Sequence, residues 1–238
     1  RKYPLMLDYM RCMLEGKSLR ACANEVGICL KTSFEWRHKI LAAIRALEGG
    51  ISFSGIVEAD ELLMKYSEKG RKFKNKEEYQ RAKKKKHPKV AVLVVTDREG
   101  NLLFKQVGEK KVKNEQLREE LKKRLSENNL ICVKPKKEFR KAVKSLQSKK
   151  VIVNKRQIKR GIYSVKIVEN KISDFKTWLS RFHGVATKYL QSYLMWFVIM
   201  NKYLKELIDP DIGRLLNLSS HDRWAWDKYR EIVSQRYD

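Results

Sequence analysis

Acidic residues are scarce. In 238 residues, 28 Asp and Glu stand against 54 Lys and Arg, a formal net charge of +26. A surface this basic repels itself and attracts polyanions, which makes nucleic acid the leading partner and an anionic membrane surface the weaker one. Cysteine is equally sparing, with four residues, Cys12, Cys22, Cys29 and Cys132, and no C-x-x-C spacing. That excludes a disulfide framework and a zinc site, leaving four small buried hydrophobes in a reducing compartment. Long hydrophobic runs are missing too. The most apolar window, Tyr189 to Met200, contains Gln191 and Ser192. A membrane-spanning helix needs about 20 apolar residues, so this window reads as a core helix. No leader-peptide pattern is visible, and the chain opens on Arg1 without a Met, as a fragment of something longer would. The expectation is a soluble, cytoplasmic, nucleoid-associated protein.

Apolar material is plentiful: 42% of residues are hydrophobic and 10% aromatic. This is enough for a real core, within one large domain or two small ones, and excludes a wholly disordered basic tail.

Leu5, Met6, Tyr9, Met13 and Leu14 recur at helical spacing. Ser18 offers an N-cap for Leu19 to Val26, Gly27 breaks that helix, and a second begins near Lys31. Two short helices joined by a Gly-containing turn make a helix-turn-helix. The second helix offers Lys31, Ser33, Arg37 and His38, which suits a major groove, although an ordinary helical hairpin has the same spacing. From Ile51 the pattern changes to strands near 55–60, 91–95, 101–104, 130–133 and 151–153, with a hairpin turn at 97–100. Helices are expected over 112–125, 139–146 and from about 168 onward, with breaks near Gly184 and Pro210. Strands interleaved with helices indicate an α/β layer structure.

Two stretches are strongly basic. Residues 65–89 hold Lys69, Arg71, Lys72, Lys83, Lys84, Lys85 and Lys86, and residues 134–160 hold a second run. Read as loops, they would neutralise phosphates and give affinity and position without sequence choice. Lys188, next to Thr187, is a further phosphate contact, while the aromatic stripe from Tyr189 to Trp196 reads as core packing.

Asp60 ends an apolar strand, where a carboxylate costs desolvation unless it is paired or bound to a cation. Glu169 and Lys176, seven residues apart on an expected helix, fall within about 20° of the same face. Two-metal phosphodiester chemistry needs carboxylates from separate elements converging on Mg²⁺. Spacing alone leaves a structural role for Glu169 open.

Ser18 to Arg20 and Trp36 to Leu41 resemble the stretch before the catalytic domain of ISXO-type insertion-sequence transposases. Gly55-Ile56-Val57-Glu58-Ala59-Asp60-Glu61 resembles their first catalytic strand, and Lys69-Gly70 the Lys-Gly after it. The most specific match is Arg181-Phe182-His183-Gly184-Val185-Ala186-Thr187-Lys188-Tyr189-Leu190, followed by Tyr193 and Trp196. The resemblance spans roughly Leu14 to Phe197. It implies an RNase H-like domain over 51–203, a helix-turn-helix segment over 1–48 before it and a helical extension over 204–238 after it. It further implies cut-and-join chemistry on transposon ends in double-stranded DNA, by a homodimer or larger multimer.

The D-D-N/E-K active site of that family maps onto Asp60 and Glu169 as ligands of Mg²⁺ or Mn²⁺, with Lys176 at phosphate or the leaving group. The family's frequent His falls on Ile172, and its N-terminal zinc ribbon finds no ligands here. The second Asp falls on Lys134, and an ammonium cannot ligate Mg²⁺. The reading is therefore a transposon-derived DNA-binding protein impaired or silent in catalysis. An active enzyme with its carboxylate elsewhere, and a basic RNA-binding protein, are the alternatives.

Overall fold

The computed structural model describes residues 3–84, 89–109, 113–146, 148–153, 159–160, 162–203, 227 and 230–231. Three helices open the chain, α1 (Tyr3–Leu14), α2 (Leu19–Val26) and α3 (Leu30–Ile44), and a 3-10 turn (Arg45–Gly50) follows. The rest runs β1 (Ile56–Lys65), α4 (Lys76–Lys84), β2 (Lys89–Asp97), β3 (Leu102–Glu109), α5 (Asn114–Lys122), β4 (Leu130–Val133), α6 (Lys137–Lys144) and β5 (Lys149–Ile152). A small ribbon, β6 (Lys159–Arg160) with β7 (Tyr163–Ser164), precedes α7 (Lys166–Ser180) and α8 (Thr187–Tyr203). Apart from residues 227 and 230–231, the expected C-terminal extension lies outside the described residues, with Trp224, Trp226 and Tyr229.

The five-stranded sheet has the order β3-β2-β1-β4-β5. Strands β1, β2 and β3 form an antiparallel meander, whereas β4 and β5 run parallel to β1. This is the RNase H-like α/β arrangement. Side chains alternate between the faces of a strand. Val57, Ala59, Leu93, Val95, Ile131 and Val133 therefore pack against α5 and α6. Leu62, Val92, Val94, Phe104 and Cys132 pack on the opposite face against α7 and α8. The near-continuous apolar run of β2 follows from burial on both faces. Gln191 of α8 closes the edge at β3, accepting from the Gln106 amide at 2.7 Å and donating to the Phe104 carbonyl at 3.2 Å. The β5 edge is blunted by the exposed Lys149 and Lys150. No helix among the described residues is long and apolar enough to cross a membrane.

Local signals account for the N-terminal helices. The Ser18 hydroxyl accepts from the Ala21 amide at 3.2 Å, and Gly27 ends α2 at φ 71°, a left-handed conformation that only glycine adopts cheaply. Helix α3 starts one residue before the expected Lys31, with Cys29 as its N-cap. This corrects the reading of Cys29 as buried: its thiol is exposed, and hydrogen bonding at Thr32 lowers its pKa.

Two candidate DNA contacts on α3 are corrected as well. Ser33 is fully buried, where its hydroxyl donates to the Leu19 carbonyl at 2.8 Å and its own carbonyl accepts from Tyr9 at 2.6 Å. Arg37 is also fully buried, donating to the Lys17 carbonyl at 2.8 Å, with its guanidinium 5.1 Å from the Trp196 ring centroid. The face expected to meet DNA is thus the face that packs on α8, so α1 to α3 share one core with the sheet domain. The first basic stretch is not all loop either, because α4 forms within it.

His38 lies between Phe34 and Tyr189, with ring centroids 4.3 and 4.0 Å away. Burial, followed by the nearby charges of Arg37 and Lys188, pushes its pKa down to about 3. Folded His38 stays neutral, whereas the unfolded chain binds a proton below about 6.5. Its stability contribution is therefore intact above pH 6.5 and erodes as pH falls toward 3, by up to about 1.4 kcal/mol per pH unit. The expected outcome is a melting temperature about 5 °C lower at pH 5 than at pH 7, with a shallower dependence in His38→Phe, checked by thermal denaturation.

Candidate functional site

Glu58 and Asp60 are two residues apart on β1 and so share a sheet face, the one covered by α7. Both are buried among apolar neighbours, and each is satisfied differently. The Glu58 carboxylate accepts from Ser164 Oγ at 2.8 Å and from the backbone amides of Ile167 and Val168 at 2.8 and 3.1 Å. It therefore caps the first turn of α7, where orphan amides and the helix dipole favour an anion. That turn carries Glu169.

Strand β4 runs beside β1 with Ala59 opposite Val133, so the next residues along, Asp60 and Lys134, are neighbours. The Lys134 ammonium bridges two carboxylates, 2.6 Å from Asp60 Oδ2 and 2.5 Å from Glu169 Oε1. Lys136 holds the other Asp60 oxygen at 2.8 Å and lies 3.7 Å from Glu61. Burial by itself would raise the Asp60 pKa, but the two lysines outweigh it and hold the carboxyl below its ordinary value. Burial pulls Lys134 downward, and its two carboxylate partners more than restore it, leaving it raised. Asp60 and Lys134 are a mutually stabilised ion pair, with Glu169 as the second anion.

These donors do not fit a divalent ion. Mg²⁺ demands oxygen ligands at about 2.0–2.1 Å in near-octahedral geometry. Here the space between Asp60 and Glu169 is filled by an ammonium, and both carboxylates already spend oxygens on it. The other buried carboxylates are committed elsewhere: Glu48 to Lys105, Arg124 and Gln191, Glu58 to α7, and Asp97 to the β2–β3 turn. Asp97 accepts from the Asn101 amide at 2.8 Å and the Ser54 amide at 3.0 Å, which agrees with the hairpin reading. Among the described residues, no group of His, Cys, Asp and Glu is placed to hold a metal ion.

The structure thus brings together Asp60, Lys134 and Glu169. It does not bring Lys176 to them: that side chain is exposed two turns further along α7, about 10 Å by helical rise. Sequence reasoning missed Glu58 and Lys136. The signal for Glu58 was available, because a carboxylate two residues before Asp60 must face the same way.

The basic candidates divide. Lys31, Lys72 and Lys84 are exposed. Lys69 donates to the carbonyls of His183 and Gly184 at 2.9 Å each. Arg71 pairs with Glu68 at 2.8 Å and Glu78 at 3.2 Å, which ties it to its own segment. The Lys188 ammonium lies 5.2 Å from the Tyr189 ring centroid, and burial lowers its pKa. The Lys83 side chain, Lys85 and Lys86 lie outside the described residues.

Removing the Glu58 cap should loosen α7 and with it the Glu169 end of the cluster. Glu58→Ala is expected to cost about 3 kcal/mol and Glu58→Gln less, read by denaturant unfolding.

Comparison with known proteins supplies the family. No curated protein matches the chain. The crystal structure of a pre-cleavage Mos1 transpososome matches at a TM-score of 0.33 and 10% identity, over 93% of this chain and 76% of that one, a likeness too loose to bear on the site. The profile of the ISXO2-like transposase domain matches residues 52–199, from the approach to β1 into the last turns of α8 and across every element that builds the cluster. The chain belongs to the ISXO2-like transposase family.

Proposed function

We propose that this protein is a transposase-derived DNA-binding protein in which strand cleavage and joining are silenced. The observation that carries the reading is the Lys134 ammonium lodged between Asp60 and Glu169, at 2.6 and 2.5 Å. A bound cation there would have to displace an ammonium that already bridges both carboxylates, and would meet Lys136 on the other Asp60 oxygen. Lys134 and Lys136, from this chain itself, supply the counter-charge for Asp60 and Glu169.

The DNA-binding half of the reading rests on the net charge of +26 together with exposed cations on separate elements, Lys31 on α3, Lys72 before α4 and Lys84 at its end. Counterion release from phosphates would supply affinity with a steep salt dependence. Transposases work as multimers that hold two DNA ends, so a dimer on DNA is part of the proposal.

The test pairs the unmodified chain with Lys134→Asp, on a duplex carrying the element's terminal sequence, in Mg²⁺ or Mn²⁺. The unmodified protein is expected to bind without nicking and to take up no Mn²⁺ by calorimetry. Lys134→Asp is expected to take up Mn²⁺ and to nick. Metal-dependent nicking by the unmodified chain would show an active transposase whose ligand set differs from Asp60 and Glu169.

A further inference from the structure

Two of the sequence segments that resemble transposases take no part in the Asp60 cluster. Lys69-Gly70 and the turn from Arg181 to Ala186 converge elsewhere, on a cavity of about 720 Å³ between α2 and α3 on one side and the start of α8 on the other. The two segments are pinned together. Besides the Lys69 bonds to the His183 and Gly184 carbonyls, the Ser67 amide donates to Thr187 Oγ1, and the Thr187 amide to the Ser67 carbonyl, each at 2.8 Å. His183 adopts φ 51°, a left-handed conformation costly for a side-chain-bearing residue, which that lacing sustains.

The lining has a consistent chemistry. Arg20, Lys69, Arg181 and Lys188 supply positive charge, and no Asp or Glu lines the cavity among the described residues. Phe34, His38 and Tyr189 form a packed aromatic wall. Arg37, also in the lining, is fully buried, and its Nε and Nη1 have no hydrogen-bond partner. A buried guanidinium with two unmet donors is costly. Bare phosphate would leave most of the volume empty and the aromatic wall unused. Cations together with aromatics, at this size, suit a nucleotide: bases lie on aromatic faces while phosphates meet Lys and Arg.

We propose that this cavity binds an unpaired nucleotide at the single-stranded tail of a DNA end, its phosphates held by Arg20, Arg181 and Lys69 and its base against Phe34 and Tyr189. The proposal rests on the DNA-binding reading above and adds a preference for tailed over blunt ends. It does not depend on the state of the Asp60 cluster.

The experiment measures fluorescence anisotropy of the full chain with a blunt duplex, and with the same duplex carrying a five-nucleotide single-stranded tail, at fixed salt. The tail is expected to tighten binding about tenfold, in line with a stacked base and added phosphate contacts. Arg20 and Arg181 are both exposed, so Arg20→Ala and Arg181→Ala should leave the melting temperature unchanged and blunt-duplex binding within about twofold, while the double variant abolishes the gain from the tail. Equal affinity for blunt and tailed duplexes overturns the proposal alone, as does a tail gain that survives the double variant. No binding to either probe sinks the DNA-binding reading and this proposal with it. A larger gain from an RNA tail than from a DNA tail overturns DNA as the ligand.

Discussion

Two carboxylates on one face of an apolar strand have to be neutralised out of water, and much of the molecule is arranged around doing so. Glu58 and Asp60 both point toward α7. Glu58 is answered by backbone amides and a serine hydroxyl, which fixes where α7 begins and therefore where Glu169 stands. Asp60 is answered by Lys134 and Lys136, side chains delivered by the parallel strand β4 and the residues just after it. A buried ion pair of this kind is weak as a source of net stability, since desolvation offsets much of the attraction. Breaking it is expensive, because the buried Asp60 then keeps Lys136 alone of its two lysine partners. The pair is therefore self-locking: each charge makes the loss of its partner costly.

The N-terminal helices meet the sheet domain through a second buried charge. Arg37 enters the interior from α3, stacks over Trp196 and Phe182, and bonds to the Lys17 carbonyl. The aromatics of α7 and α8 close round it, with Trp178 and Trp196 edge to face at 5.0 Å. This welds α1 to α3 onto the domain as one continuous core, and of the polar residues of α3 expected to meet DNA it leaves Lys31, at the helix start, exposed. The geometry that seals the core also leaves a basic cavity at the seam, so packing and the cation-lined surface share residues.

Much of the fold was legible in the chain. Ser18 and Gly27 marked α2, the apolar run of β2 marked a central strand, and the turn at 97–100 marked the hairpin, because caps, periodicity and turn chemistry are local. The resemblance placed Lys134 at the family's second acidic position, and the parallel register of β4 with β1 sets that residue beside Asp60. The polar residues of α3 were less legible. Ser33 and Arg37 read as an exposed face, because helical periodicity shows which residues lie together and not which side is covered. Cys29 was misread for a related reason: apolar neighbours in sequence do not bury a residue that caps a helix.

Sequence by itself determined most of the secondary structure, the α/β class and the excess of positive charge, all of which depend on residue type and short-range spacing. By resemblance alone it set Lys134 at the place of the family's second aspartate. Only the tertiary structure decided that this lysine bridges Asp60 and Glu169 while Lys176 stays in solvent, because the parallel register of β1 with β4 and the capped start of α7 set those distances. It also decided that Lys69, Arg181 and Arg37, far apart in the chain, line one cavity. Convergence of that kind depends on which helix faces pack together, and no local pattern in the sequence encodes it.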